Sequence, residues 1–223
     1  MVTLYQITGS CSFAVRAALE EGGIPYDVVD VHPRERDGDP GVAAANPLKR
    51  VGTLVDGDTA VYETGAILLY LVERFPEADL GPRPGEPGRG ELLRWVTWLA
   101  NTLHAIWWPL QVPAFLTTDE SGHEAVAASG RRRVVAAGAY LEGELAGRSW
   151  CLGDRFSVAD IYLYMLTGWQ HYNEDGTQLG REHVQAHYAR VGARPAISRT
   201  RALDDLDPRL LRHHPELRGG RPI

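Results

Sequence analysis

Apolar and polar positions follow two different periods along this chain. Short apolar runs rich in β-branched residues at positions 4–7, 26–31, 51–55 and 60–62 read as strands. Between the first two, residues 13–21 carry a helical pattern that Gly22-Gly23 and Pro25 bring to a stop. Strand, helix, strand makes a βαβ unit, whose right-handed crossover leaves the two strands parallel. Asp56-Gly57-Asp58 is a turn signal that joins the next two strands antiparallel, and a helix over 64–75 follows. The order βαβ then ββα predicts a four-stranded mixed sheet with helices on its faces, a compact α/β domain over residues 1–78.

Beyond it the period changes. Residues 79–90 are rich in proline and glycine and poor in apolar residues, which is the composition of a linker. From position 91 the pattern is helical. Leu92, Leu93, Val96, Leu99, Leu103, Ile106 and Trp107 recur at three- and four-residue spacing, and positions 134–145 repeat the pattern. In Phe156-Ser-Val-Ala-Asp160-Ile161, Ser157 and Asp160 form a capping box that opens a helix running to about Trp169. Arg194-Pro195-Ala196 begins a last short helix, and residues 215–223 read as a frayed tail. An all-helical second domain over 91–223 is the expectation.

Composition narrows the classes. With 223 residues, 44% hydrophobic and 23% charged, the chain can bury a sizeable core and is too balanced for intrinsic disorder. A net charge of -6 argues against a nucleic-acid or anionic-membrane partner, which would need clustered positive charge. The longest apolar run, residues 66–72, is far too short to span a bilayer, and the N-terminus has no export signal. A soluble, cytoplasmic protein with its two cysteines reduced is expected. Neither a metal-ligand spacing nor a phosphate-binding glycine loop is read from the chain, so no metal is expected.

Three features together carry a family resemblance: the thioredoxin-like first half, Glu63-Thr64-Gly-Ala-Ile at the third helix, and Gly153-Asp-Arg-Phe-Ser-Val-Ala-Asp160 in the helical half. The chain resembles the cytosolic glutathione transferases. Leu4-Tyr-Gln-Ile-Thr-Gly-Ser-Cys11-Ser and the run Trp95-Val-Thr-Trp-Leu-Ala-Asn101-Thr-Leu-His104 are most similar to the bacterial beta class, which keeps a cysteine in this loop. The resemblance implies a homodimer that takes glutathione as co-substrate in the first domain and a small hydrophobic electrophile in the second. It also leaves open a glutathione-dependent reductase or isomerase, and a non-catalytic ligand-binding or dimerisation module. One position departs from the family: Gly52 stands where a cis-proline is usual. A cis bond before a non-proline residue costs about 2.5–4 kcal/mol, so Val51-Gly52 is expected either trans with a rearranged loop or cis under strain.

Candidate chemistry follows. A thiol of pKa about 8.5 is only slightly ionised at neutral pH, and donors at a helix start stabilise its anion. Cys11 is the first choice for that role by resemblance, with Ser10 and Ser12 as alternatives; the competing reading makes Cys11 a buried filler and the serines helix caps. Thr64 can cap its helix while the helix amides hold a carboxylate. By resemblance Glu63 takes the glutathione ammonium, Val51 pairs through its backbone, and Arg50 with Lys49 meets the glycyl carboxylate. His104 and Asn101 match positions near the thiol, although a lone histidine on an apolar helix is more often a core residue. Trp107, Trp108, Phe115, Tyr164 and Trp169 can wall an apolar pocket. Ser157, Asp160 and Cys151 are read as structural.

Overall fold

The computed structural model describes residues 1–31, 39–173 and 175–203. Strand β1 (Val2–Gln6) buries Val2, Leu4 and Gln6 and leaves Thr3 and Tyr5 half-covered, the alternation of a sheet lined on one face. Helix α1 (Ser12–Glu21) and strand β2 (Tyr26–Asp30) complete the βαβ unit, with β2 parallel to β1 from the Val2–Tyr26 pair to the Gln6–Asp30 pair. Strands β3 (Thr53–Asp56) and β4 (Thr59–Tyr62) add antiparallel pairings, giving the order β2-β1-β3-β4, and helix α3 (Thr64–Arg74) follows. The mixed four-stranded sheet is the predicted one. A short helix, α2 (Pro40–Ala45), was not expected; Asp39 accepts the Val42 N–H at 2.8 Å and Pro40 fills its first turn.

The second half is helical. Helix α4 (Arg89–Trp98) passes through a π turn at Leu99–Leu103 into α5 (His104–Gln111), and α6 (His123–Leu145), α7 (Val158–Gly168), α8 (Glu182–Gly192) and α9 (Pro195–Leu203) follow. α6 begins well before the predicted position 134, because its Ala- and Arg-rich first turns favour helix without showing an apolar stripe. Every residue of α7 from Val158 to Thr167 is buried, as befits a central helix that is apolar all round. The predicted capping box is there: Asp160 accepts the Ser157 N–H at 2.8 Å and the Ser157 hydroxyl accepts the Ala159 N–H.

The segment expected to be a linker is held in place. Leu80 and Pro82 are buried, and the Leu80 carbonyl accepts the Val158 N–H at 2.9 Å. Proline and glycine there shape fixed turns. The halves are joined again by an ion pair from Arg194 to Glu21 of α1, with the Arg194 guanidinium 3.7 Å from the Phe156 ring centroid. The predicted tail at 215–223 lies outside the described residues. Among the described residues no helix is long and apolar enough to cross a membrane.

Candidate active site

The loop before α1 is folded by Ser12. Its hydroxyl donates to the Ile7 carbonyl at 3.1 Å, accepts the Ile7 N–H at 3.3 Å and lies 2.6 Å from the Ser10 hydroxyl, while the side chain is fully buried. Ser10 in turn accepts the Ser12 N–H. Both hydroxyls are therefore engaged in loop structure. Cys11, at the N-cap of α1, makes no cap hydrogen bond; its half-buried thiol points across to β3 and donates to the Val51 carbonyl at 3.8 Å. Burial pushes the Cys11 thiol up from its ordinary value, the Thr64 hydroxyl and Gly52 amide offset this only in part, and the Glu63 charge adds to it. Dehydration outweighs the donors at this helix start. At neutral pH Cys11 is an S–H donor.

Facing it, the Val51–Gly52 peptide is cis, the second of the two expected geometries. Lys49 is exposed at φ 52° and Arg50 is half-buried, its carbonyl held by the Thr53 hydroxyl and the Asn46 amide. Glu63 occupies the N-cap of α3 at φ 73°, a conformation that costs a non-glycine residue about 1–3 kcal/mol and is found where function demands it. Its side chain does not cap the helix, and Thr64, expected to do so, is instead the buried first helical residue whose hydroxyl turns to Cys11. The first amides of α3 are thus left without a side-chain acceptor, beside the exposed Glu63 carboxylate.

The opposite wall comes from the helical half. The π turn at Leu99–Leu103 leads straight into His104, and inserted turns of this kind recur at functional sites. His104 Nδ1 lies 3.2 Å from the Tyr162 hydroxyl of α7, and burial lowers the His104 pKa to about 4, so the ring is neutral at pH 7. Burial also raises the Tyr162 phenol, with added contributions from Cys11 and Glu63, so Tyr162 faces the same centre. Tyr162 was not singled out in the sequence, where it sits inside an apolar run. Asn101, within the π turn, is exposed.

The aromatic candidates divide. Trp107 is fully buried in the core. Trp108, 41% exposed, stacks near His104 and Phe115, and Trp169 meets the His104 ring edge-on at 4.9 Å. Trp169 and Tyr164 also line a cleft of about 280 Å³ that opens beside Gly9, Ser10 and Phe13 and runs to His171, Tyr188 and Arg201. The last three were missed because α8, α9 and the turn after α7 reach this cleft only through tertiary packing.

The chain was read as lacking metal-ligand spacing, yet His183 and His187 stand four apart on α8. Only His187 joins a cluster: with Cys151 and Asp160 it brings potential ligand atoms within 4.8 Å, all buried. Asp160 there accepts the Cys151 N–H at 2.7 Å, the Ser157 N–H, and a hydrogen bond shared with His187 Nε2 at 2.8 Å, so its oxygens are occupied by α7 and its neighbours. His213 and His214 lie outside the described residues.

Comparison with known proteins places this arrangement. Residues 1–73 match the model of the glutathione S-transferase N-terminal domain and residues 99–195 that of the C-terminal domain. A sphingomonad glutathione S-transferase solved in complex with glutathione is 32% identical, with a TM-score of 0.78 over 92% of this chain and 99% of that one. The chain belongs to the glutathione S-transferase family. A beta-class glutathione S-transferase from Sphingomonas chungbukensis superposes with a TM-score of 0.77 at 29% identity, over 92% of this chain and 99% of that one, and this transferase-family member stands close to that bacterial class. A stringent starvation protein A homolog from Haemophilus ducreyi is also 29% identical, across 85% of this chain and 84% of its own.

Proposed function

We propose that the protein binds glutathione along β3 and the start of α3 and transfers its thiolate to a small apolar electrophile in the adjoining cleft. The observation that carries this reading is the convergence of the Cys11 thiol, the Val51–Gly52 peptide, Thr64 and the uncapped start of α3 on one short stretch of surface. The first amides of α3 suit the γ-glutamyl carboxylate, Glu63 its ammonium, the Val51 backbone the cysteinyl peptide, and Arg50 with Lys49 the glycyl carboxylate. Cys11 donates its S–H to the glutathione sulfur, favouring the anion. The thiol proton leaves to solvent, a carbon–sulfur bond forms, and the electrophile's leaving group departs with its bonding pair. Ser10 and Ser12 hold the loop; His104 with Tyr162, and Asn101 beside them, border the sulfur from the helical half.

Disulfide exchange through Cys11 needs its thiolate, which the raised Cys11 pKa disfavours, so conjugation stands ahead of a reductase that works by a Cys11 mixed disulfide. A relative named as a stringent starvation protein A homolog stands at an identity similar to that of the transferases, and one fold hosts many functions, so the second reading is a non-catalytic ligand-binding or dimerisation module. We place the protein in the cytoplasm as a homodimer, which sedimentation checks. Calorimetric titration of the reduced protein with glutathione and with S-methylglutathione separates the readings. Binding of both ligands supports the transferase site; no heat with either overturns it.

A further inference from the structure

The cleft beside Ser10 contains more than apolar walls. Tyr164 is 3% exposed and forms part of its lining, and its hydroxyl lies beside Tyr188 and Arg201 without a well-formed hydrogen bond to either. A buried phenol with hydrogen-bonding capacity left over is suited to a partner brought by a ligand. Arg201, in the last turn of α9, stands exposed at the rim, and its guanidinium acts on the Tyr164 hydroxyl and on His171. No carboxylate among the described residues pairs with Arg201. Burial and the Arg201 charge both lower the His171 pKa, which leaves Arg201 as the permanent cation of this cleft among the described residues.

The remaining walls are ring faces. Tyr164 and Tyr188 stack at 4.6 Å and 14°, and the Phe13 ring, tilted to that of Tyr164, lies 6.0 Å from it. At about 280 Å³ the cleft is at the small end for ligand sites, which run from about 300 to 1,000 Å³, and it holds one ring rather than a fused system.

We propose that this cleft selects a single-ring aromatic electrophile bearing a carboxylate, the ring lying against Phe13 and Tyr164 and the carboxylate held by the Arg201 guanidinium and the Tyr164 hydroxyl. The assignment rests on the transferase reading and names its substrate class. A planar carboxylate matches the forked donors of arginine and takes a phenolic O–H on its remaining lone pairs. Ser10, which lines the same cleft, sets the ring beside the loop that carries Cys11.

The test is calorimetric binding of two unreactive probes, benzoate and methyl benzoate, to the wild-type protein and to Arg201→Gln, Arg201→Lys and Tyr164→Phe. The wild type binds the acid about tenfold tighter than the ester, as expected for a charge-assisted anchor. Arg201→Gln brings the ratio to near one, Tyr164→Phe lowers it, and Arg201→Lys keeps part of it. Equal affinity for acid and ester in the wild type, or a preference untouched by Arg201→Gln, overturns the proposal. The titration contains no glutathione. Failure of glutathione to bind would overturn the transferase reading and leave this result standing, and loss of acid preference beside intact glutathione binding overturns only the substrate class.

Discussion

Cys11 and Cys151 both lie beside the first turn of a helix, both are pushed toward the neutral thiol by burial, and both have an acidic residue nearby, Glu63 for one and Asp160 for the other. What separates them is whether the hydrogen bonds of the neighbouring carboxylate are closed. Around Cys151 every oxygen of Asp160 is used: the Cys151 and Ser157 amides, the Ser157 hydroxyl and His187 all converge on it, fully buried. Around Cys11 the groups stop short of one another. The start of α3 has no side-chain cap from Glu63, which is exposed in a left-handed conformation, and the Cys11 thiol makes a long contact to the Val51 carbonyl beside the Thr64 hydroxyl and the Gly52 amide. A closed network holds a fold together; an open one has capacity left for a ligand.

Breaking the closed network is expected to give the largest effect. Asp160→Ala strands two buried amides and His187, and removing one partner from such a buried pair costs about 3–5 kcal/mol, read as a fall in the urea midpoint. Next comes the histidine of the open site. His104 titrates near 4 when folded against about 6.5 when unfolded, so the folded state resists its protonation. Its contribution is complete above pH 6.5 and lost as pH falls toward 4, about 3 kcal/mol in all. Stability measured from pH 7 to 4 falls by this amount in the wild type, and His104→Gln flattens the decline. If the two curves superpose, His104 is not held neutral.

Cys151→Ala opens a small cavity, costs about 1–2 kcal/mol of stability and leaves glutathione affinity unchanged. Cys11→Ala does the reverse: stability changes by less than about 1 kcal/mol, and stabilisation of the bound thiolate drops about tenfold, the worth of one hydrogen bond to a charged group. Should Cys11→Ala destabilise more than Cys151→Ala, the contrast between open and closed networks fails.

The closed network was half legible in the sequence, since Ser157 and Asp160 are three apart and a capping box is local. Its other half, His187, comes from a different helix, and no spacing announces the pairing. The open site shows the same division. Cys11, Glu63 and Thr64 sit at strand–helix junctions, where turn chemistry marks them, whereas Tyr162 and Arg201 read as one more core tyrosine and one more surface arginine until α7 and α9 are packed. The π turn before His104 left no trace either, because Leu-Ala-Asn-Thr-Leu contains neither proline nor glycine to signal a change of winding. The state of the Cys11 thiol was not legible for a related reason: the helix start is a local feature and burial is not.

The most direct test is a pH titration of thiolate absorbance in the ultraviolet, on the free protein, on its glutathione complex and on the same pair in Cys11→Ala. The account predicts no thiolate at neutral pH in the free protein, a thiolate in the complex at a pH below that of free glutathione, and a shift of that thiolate back toward higher pH in the variant. A thiolate at neutral pH in the free protein that Cys11→Ala removes, or a saturated complex with none, would contradict it.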